Sequence, residues 1–266
     1  MRLLIVSLTL SLFCSCDKVI DVDLPEYERE LVMEMYLEKG RPLRCLLIES
    51  LPYTDTAINK QINDALIIFS DGIKNDTLTY RINQDMVTGR FYNYYHPRVI
   101  EPDPNKTYSI TIIGDEKKIT STTRFSQTKA TIDSLIVRES MNEPDSFSVG
   151  IKFTDPASVE NYYRILIGKN PNLFGSDPTD LRVSDISFDG KPFSYYSEPD
   201  FARNDTVAIR VYSLNKEHYE YLESMGNARR SNFNPFSQPG RIKSNVSGGL
   251  GIFTSIQYTE HRVVIR

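Results

Sequence analysis

Short runs in which apolar and polar residues alternate predict a protein built mainly of β-strands. The clearest run is 146–153, in which Phe147, Val149, Ile151 and Phe153 fall on one face. Successive side chains of a strand point to opposite faces, so this alternation suits a half-buried sheet. Similar runs recur at short intervals, which is typical of a sandwich of two sheets.

We predict further strands along the whole chain. They are placed at Leu31–Leu37, Leu43–Glu49, Ala65–Ser70, Leu78–Ile82, Arg90–Tyr95, Tyr108–Ile113, Lys118–Phe125, Ile132–Arg138, Tyr163–Ile167, Thr206–Leu214, Gly248–Gln257 and Arg262–Ile265. Gly40 favours a hairpin turn after the first strand, and Asp71 with Gly72 marks another turn. The interval 168–205 is rich in Asp, Pro, Ser and Asn, which predicts long loops with short strands.

One segment has helical spacing instead. Its apolar face is formed by Leu214, His218, Tyr221, Leu222 and Met225. This spacing predicts a helix near 214–226, capped at its start by Ser213 or Asn215 and ended by Gly226. The strand pattern is lost over 126–131, so we predict two β-sandwich domains of the immunoglobulin type, 30–126 and 131–266. The second carries the inserted α-helix.

The N-terminus has the residue pattern of a targeting segment. Residues 3–13 are apolar apart from Ser7, Thr9 and Ser11. A spanning helix needs about 20 residues, so this run fits the hydrophobic region of a secretory signal peptide. Ser15 and Cys16 follow it and resemble the lipobox of bacterial lipoproteins. In that family the cysteine thiol carries diacylglycerol, the chain is cut before it, and the new amine is acylated.

This resemblance implies a signal peptide of 1–15, a lipid (palmitate-type) anchor on Cys16, and a tether over 16–29. The alternative is a plain secreted or buried N-terminal segment. Asp17, Lys18 and Asp21 are similar to the signal that exports some lipoproteins of the Bacteroidota to the cell's outer face, the alternative being a simple tether. Of the three cysteines, Cys45 would then remain alone, without a disulfide partner and best explained as a small buried side chain.

Composition and motifs offer little catalytic chemistry. The chain has 266 residues with a net charge of −4 and no basic stripe, so a nucleic-acid partner is not expected. The three histidines show no metal-ligand spacing, and no nucleophile elbow is present. We therefore predict no enzyme, no catalytic or metal residue and no cofactor. Two alternatives stay open: a glycosidase carboxylate pair formed in space, and calcium at the pairs Asp71 with Asp76, Asp177 with Asp180, and Asp200 with Asp205.

Two aromatic clusters are candidates for partner contact. Their central members are Tyr92, Tyr94, Tyr95, Tyr195 and Tyr196. Aromatic side chains bury large areas at low entropic cost and are enriched at interfaces. The alternative is that neighbouring loops cover them.

The chain as a whole resembles the bacterial outer-membrane lipoproteins grouped as domain of unknown function 4249. Its most specific motifs are Asn161-Tyr162-Tyr163-Arg164 after Asp155-Pro156, and Gly248-Gly249-Leu250-Gly251 with Phe253. Other matching segments are Val19 to Pro25 after Cys16, Leu31 to Glu34, Asn63 to Ala65, Asp71 with Gly72, Lys106 to Tyr108, Ser213 to Tyr221, and Asn234 to Phe236.

The resemblance implies a lipid-anchored outer-membrane protein that is attached through Cys16 and is associated with a TonB-dependent transporter or its lipoprotein partner. It supplies no catalytic residues. We therefore expect an accessory binding or scaffold subunit of a nutrient-uptake system. The alternative is an extracellular hydrolase or inhibitor-like module that acts on a polymer before import.

Overall fold

Strands dominate the computed structural model of the protein, which describes residues 28–51, 61–86, 88–114, 116–170, 178–232 and 240–266. Fifteen strands and one α-helix lie in these ranges. The predicted signal peptide, Cys16 and the tether before residue 28 lie outside the described residues, so these predictions remain untested. No helix in the described ranges is long and apolar enough to cross a membrane.

The described residues of the first half form seven strands. They are β1 (Leu31–Glu38), β2 (Pro42–Glu49), β3 (Leu66–Ser70), β4 (Asn75–Gln84), β5 (Phe91–Val99), β6 (Tyr108–Gly114) and β7 (Lys117–Thr123). The second half adds β8 (Ile132–Glu139), β9 (Ser146–Thr154), β10 (Tyr162–Lys169), β11 (Thr179–Ser184), β12 (Pro192–Tyr196), β13 (Phe201–Ala202), β14 (Thr206–Leu214), helix α1 (Lys216–Asn232) and β15 (Leu250–Val264).

These strands form two sheets. Eleven strands join in the order β11-β10-β14-β15-β1-β2-β5-β4-β3-β6-β7, and a four-stranded sheet is built around β9, with β8 on one side and β12 and β13 on the other. The prediction of a mainly β, sandwich-like fold with one helix in its second half is confirmed. Gly40 has a φ of +72° in the turn between β1 and β2, as the predicted hairpin requires.

The last strand joins the two halves of the large sheet. Through residues 250–256 β15 runs parallel to β1, and through residues 257–264 it runs antiparallel to β14. The prediction of two separate strands here is therefore wrong. Residues 258–261, which lie between the two predicted strands, continue β15 and pair with β14, and the change of partner falls between Ile256 and Gln257.

Each half has its own buried cluster. The first includes Met33 of β1, Leu47 of β2 and Phe69 of β3. The second lies between the two sheets, where Ile151 of β9 is buried with Ile165 of β10. Because one sheet runs through both halves, the predicted division at 126–131 remains a prediction.

The segment 124–130 is fastened by the residues predicted to cap the helix. The Ser213 hydroxyl accepts a hydrogen bond from the Ala130 amide at 2.9 Å, and the Asn215 side-chain amide donates to the Arg124 carbonyl at 2.6 Å. The Asn215 carbonyl accepts from the Tyr219 amide at 3.0 Å, so Asn215 does occupy the first cap position. Its side chain, however, does not cap the helix but bonds the segment that connects the two halves of the chain.

Helix α1 covers the opposite face of the large sheet. Its predicted apolar face is confirmed for His218, Tyr221 and Leu222, which are buried, but Leu214 is the last residue of β14 and not part of the helix. The prediction that Gly226 ends the helix is wrong. Gly226 lies inside α1, where a Cβ would come within 3.1 Å of the Arg182 guanidinium, and Arg182 donates to the Leu222 carbonyl at 2.7 Å. Glycine at this position leaves room for that side chain.

Candidate functional site

A small cavity lies where α1 packs against the large sheet. Its volume is about 120 Å³. We call it the Arg–His cavity, and it is lined by Glu38, Thr88, Arg90, Arg164, Arg210, Tyr212, Leu214, His218, Ile256 and Tyr258. Adjacent strands supply much of this lining, because Tyr212 pairs in register with Arg164 on one side and with Tyr258 on the other.

His218 is the most unusual side chain of the cavity. It is 3% exposed, and neither ring nitrogen has a hydrogen-bond partner among the described residues. Its closest ring neighbour is Tyr36, with centroids 5.9 Å apart. Burial, with the charges of Arg90 and Arg164, lowers the pKa of His218 to about 3. The ring is therefore neutral at pH 7 and carries one N–H donor and one acceptor nitrogen.

Two of the three arginines of the cavity are neutralised by carboxylates. The Arg164 guanidinium donates to both oxygens of Asp180 at 2.8 Å, a bidentate pair. Arg210 donates to Glu260 at 2.5 Å. These two cations are therefore each held in place by a carboxylate, and Arg90 is the third arginine of the cavity.

Arg90 has a different environment. Its guanidinium lies 3.9 Å from the centroid of the Tyr36 ring, and among the described residues it forms no ion pair with a carboxylate. Glu34 is near enough to act on its pKa, but the Glu34 carboxylate accepts hydrogen bonds from the hydroxyls of Tyr36 and Tyr221, at 3.3 Å and 3.0 Å. Arg90 also donates a hydrogen bond to Tyr92, so a partly buried cation with a tyrosine partner, but with no carboxylate ligand among the described residues, borders the cavity.

A cluster of acids is the second candidate site. Asp155, Asp185 and Asp189 each bring one oxygen within 4.8 Å of the others, a spacing suited to a cation. All three already accept hydrogen bonds, and their donors are the Tyr163 hydroxyl and Gly190 amide for Asp155, the Asn161 amide for Asp185, and the Ser158 amide for Asp189. Burial raises the pKa of Asp185. The cluster thus orders the chain around the Asp-Pro motif and around Asn161 and Tyr163 of the Asn-Tyr-Tyr-Arg motif.

The acidic pairs considered for calcium are engaged otherwise. Asp71 and Asp76 both bind the guanidinium of Arg98. Asp180 pairs with Arg164 and Asp205 with Lys169, while Asp177 lies outside the described residues. Each described pair thus includes at least one carboxylate that is already neutralised by a cation.

The predicted contact tyrosines divide into two groups. Tyr92 and Tyr94 are 4% and 1% exposed, so their rings pack inside the fold and form no surface for a partner. Between these two tyrosines, the buried Asn93 side chain accepts a hydrogen bond from the Leu47 amide at 2.8 Å and donates one to the Leu47 carbonyl at 2.7 Å. Tyr95, Tyr195 and Tyr196 are partly exposed. Cys45 is buried and free, as predicted, and burial raises the pKa of its thiol.

The sequence assigned His218 to the core, which is correct, but gave no sign of the cavity beside it. Arg90, Arg164 and Arg210 lie in separate strands or loops, and no local motif connects them. Only the burial of a histidine on a helix face pointed to this region.

Comparison with known proteins shows which family the chain belongs to. No curated protein matches the chain. A solved structure titled "Cytokine receptor complex - Crystal form 1A" is similar at 6% identity, covering 87% of this chain and 95% of that chain with a TM-score of 0.27, which is too low to establish a shared fold. The family model described as "Domain of unknown function (DUF4249)" matches residues 17–262. The chain therefore belongs to the DUF4249 family.

Proposed function

We propose that the protein is a lipid-anchored, non-catalytic accessory subunit of a TonB-dependent uptake system in the outer membrane. It holds substrate or stabilises the transporter assembly. The observation that carries the proposal is the position of Cys16, directly after a small residue and an apolar run. Each buried acyl methylene contributes roughly 0.8 kcal/mol, and more than one chain gives stable anchoring.

The fold is compatible with anchoring at its N-terminal side. The chain from Cys16 reaches the sheet at Leu31, the first residue of β1. Strand β1 lies inside the large sheet between β15 and β2, so the tether leads into a central element of the fold. An extended segment of this length spans at most about 50 Å. The anchored sheet stays within that distance of the membrane, where a transporter in the same membrane is reachable.

Exposed apolar side chains on β4 and β5 offer a contact surface. Ile82 is 53% and Phe91 is 48% exposed, and Tyr95 on β5 is partly exposed, with the guanidinium of Arg81 5.1 Å from its ring centroid. Exposed aromatic and aliphatic side chains beside arginine are common at protein interfaces. They replace Tyr92 and Tyr94 as the first candidates for docking.

The anchor is tested first by cell fractionation and mass spectrometry of the N-terminal peptide. Wild-type protein is expected in the outer-membrane fraction with an acylated Cys16. Cys16→Ala is expected to lose the lipid and the membrane association. Cys14→Ala is the matched control, because that residue leaves with the signal peptide and its replacement changes neither result. A soluble wild-type protein with an unmodified Cys16 contradicts the proposal.

The partner is tested by affinity capture of the tagged, full-length protein from outer membranes in mild detergent. Recovery of a TonB-dependent transporter in stoichiometric amount supports the scaffold role. Phe91→Ser is expected to reduce that recovery, while Val159→Ser, an exposed position in the second half of the chain, leaves it unchanged. Recovery of the protein alone contradicts the transporter association.

A further inference from the structure

We propose that the Arg–His cavity binds a small organic monocarboxylate, with the carboxylate group between Arg90 and His218. This inference is independent of the lipid anchor and of the transporter association. It rests on the unmatched polar groups, the charge and the size of the cavity.

The first argument is the unpartnered histidine. A buried polar group without a hydrogen bond costs roughly 1–3 kcal/mol. His218 has two such nitrogens, and its ring lines the cavity. Buried polar groups in native proteins nearly always have a partner, so an unmatched pair beside a cavity points to a molecule that occupies it. The neutral ring offers an N–H to an acceptor such as a carboxylate oxygen.

The second argument is charge. Arg164 and Arg210 are neutralised by Asp180 and Glu260, and among the described residues Arg90 is the arginine of the cavity without a carboxylate at ion-pair distance. Glu34 acts on Arg90 from farther away, and its carboxylate accepts hydrogen bonds from Tyr36 and Tyr221. A guanidinium matches the planar geometry of a carboxylate and can donate two parallel hydrogen bonds to it. One cation without a carboxylate ligand suits one negative charge and disfavours a dianion.

Other titratable groups face the same space. Glu38 of β1 lines the cavity and also a neighbouring surface groove of about 430 Å³. Its carboxylate repels an anion, which favours the Arg90 end for the ligand's charge. The hydroxyls of Tyr212 and Tyr258 and the side chain of Thr88 add polar contacts.

The third argument is size and apolar lining. A volume of about 120 Å³ corresponds to roughly four water molecules at the density of liquid water. That space holds a short aliphatic acid. Leu214 and Ile256 supply apolar walls for its alkyl part. The cavity therefore matches a short-chain acid, with its charged group at one end and its carbon chain against the sheet.

The test uses the intact protein with propionate as the probe and propionamide as its uncharged isostere. Binding is followed by NMR, through the ring ¹⁵N signals of the labelled histidines, with the His218 signals assigned from a His218→Asn variant. Millimolar propionate is expected to shift the His218 signals and leave those of His96 and His261 in place. Propionamide is expected to have no such effect.

Variants test the charge. Arg90→Gln is expected to weaken propionate binding tenfold or more, the usual loss for a charge-assisted hydrogen bond. Arg81→Gln is the matched control, because Arg81 is an exposed arginine that also lies over a tyrosine ring but does not line the cavity. The affinity of this variant for propionate is expected to equal that of the wild type. Glu38→Gln is expected to tighten binding.

Three outcomes overturn the proposal. They are wild-type His218 signals that do not move with propionate, equal binding of propionamide, and an Arg90→Gln variant that binds like wild type. If Arg90→Gln does not fold, as judged by its circular dichroism, the wild-type titration and the Glu38→Gln variant still decide. Weaker binding by Glu38→Gln contradicts the assigned position of the charge.

Discussion

Replacing Gly251 with alanine tests how the two halves of the sheet are joined. Gly251 is the second residue of β15 and pairs with Met33 of β1. Its φ is +116°, and a Cβ there would lie 1.8 Å from the Met33 carbonyl oxygen. Real Cβ atoms essentially never approach a heavy atom within 3.0 Å. Alanine therefore forces either the backbone of residue 251 to rotate or the pairing of β15 with β1 to open.

The expected cost combines two effects. A non-glycine residue in a sparsely populated backbone region costs of order 1–3 kcal/mol. Inserting a methyl group into a packed site costs about 1–3 kcal/mol more. We expect Gly251→Ala to lower the free energy of unfolding by about 2–6 kcal/mol, a large share of the roughly 5–15 kcal/mol typical of native proteins.

Equilibrium unfolding in urea measures this change, followed by far-ultraviolet circular dichroism because the chain has no tryptophan. Gly40→Ala is the matched control. Gly40 also has a positive φ, of +72°, but a Cβ there meets nothing within 4 Å. Its expected cost is only about 1–2 kcal/mol, from the backbone alone. Equal losses of stability in the two variants would refute the steric argument at Gly251.

Three further predictions concern buried groups. Because the pKa of His218 is lowered to about 3, the unfolded chain binds a proton below pH 6.5 that the folded protein does not. The free energy of unfolding therefore falls with decreasing pH by up to ~1.4 kcal/mol per pH unit through this group. Urea titrations between pH 7 and 4 are expected to show a shallower fall for His218→Phe, and identical pH slopes in variant and wild type contradict the assignment. Tyr163→Phe removes the 2.5 Å hydrogen bond to Asp155 and is expected to lower the free energy of unfolding by about 1.5–3 kcal/mol in the same assay. Tyr162→Phe is expected to cost less, because the hydroxyl of Tyr162 bonds an exposed glutamate. The Cys45 thiol is expected to resist a thiol reagent in the native lipidated protein and to react as a single equivalent in urea; a second equivalent shows that the predicted acylation is absent.

The sequence by itself determined the local elements. Period-two alternation located the strands outside 168–205, although it divided β15 in two, because the face that a residue occupies in a strand depends only on its position along the chain. Helical spacing likewise placed His218 and Tyr221 on the buried side of α1, and a lone Cys45 in an apolar run was correctly assigned to the core. The candidate lipid site at Cys16 is also a property of local sequence alone.

Only the tertiary structure decided which elements meet. The parallel pairing of β15 with β1 joins residues more than two hundred positions apart, and no local period encodes a strand's partner. Tyr92 and Tyr94 are buried on either side of Asn93, whose side chain bonds Leu47 of a neighbouring strand, and local sequence does not reveal that neighbour. The Arg–His cavity has the same origin. Arg90 and His218 come from distant segments, and their chemistry arises only when the helix closes over the sheet, because electrostatic and hydrogen-bonding partners are set by distance in space.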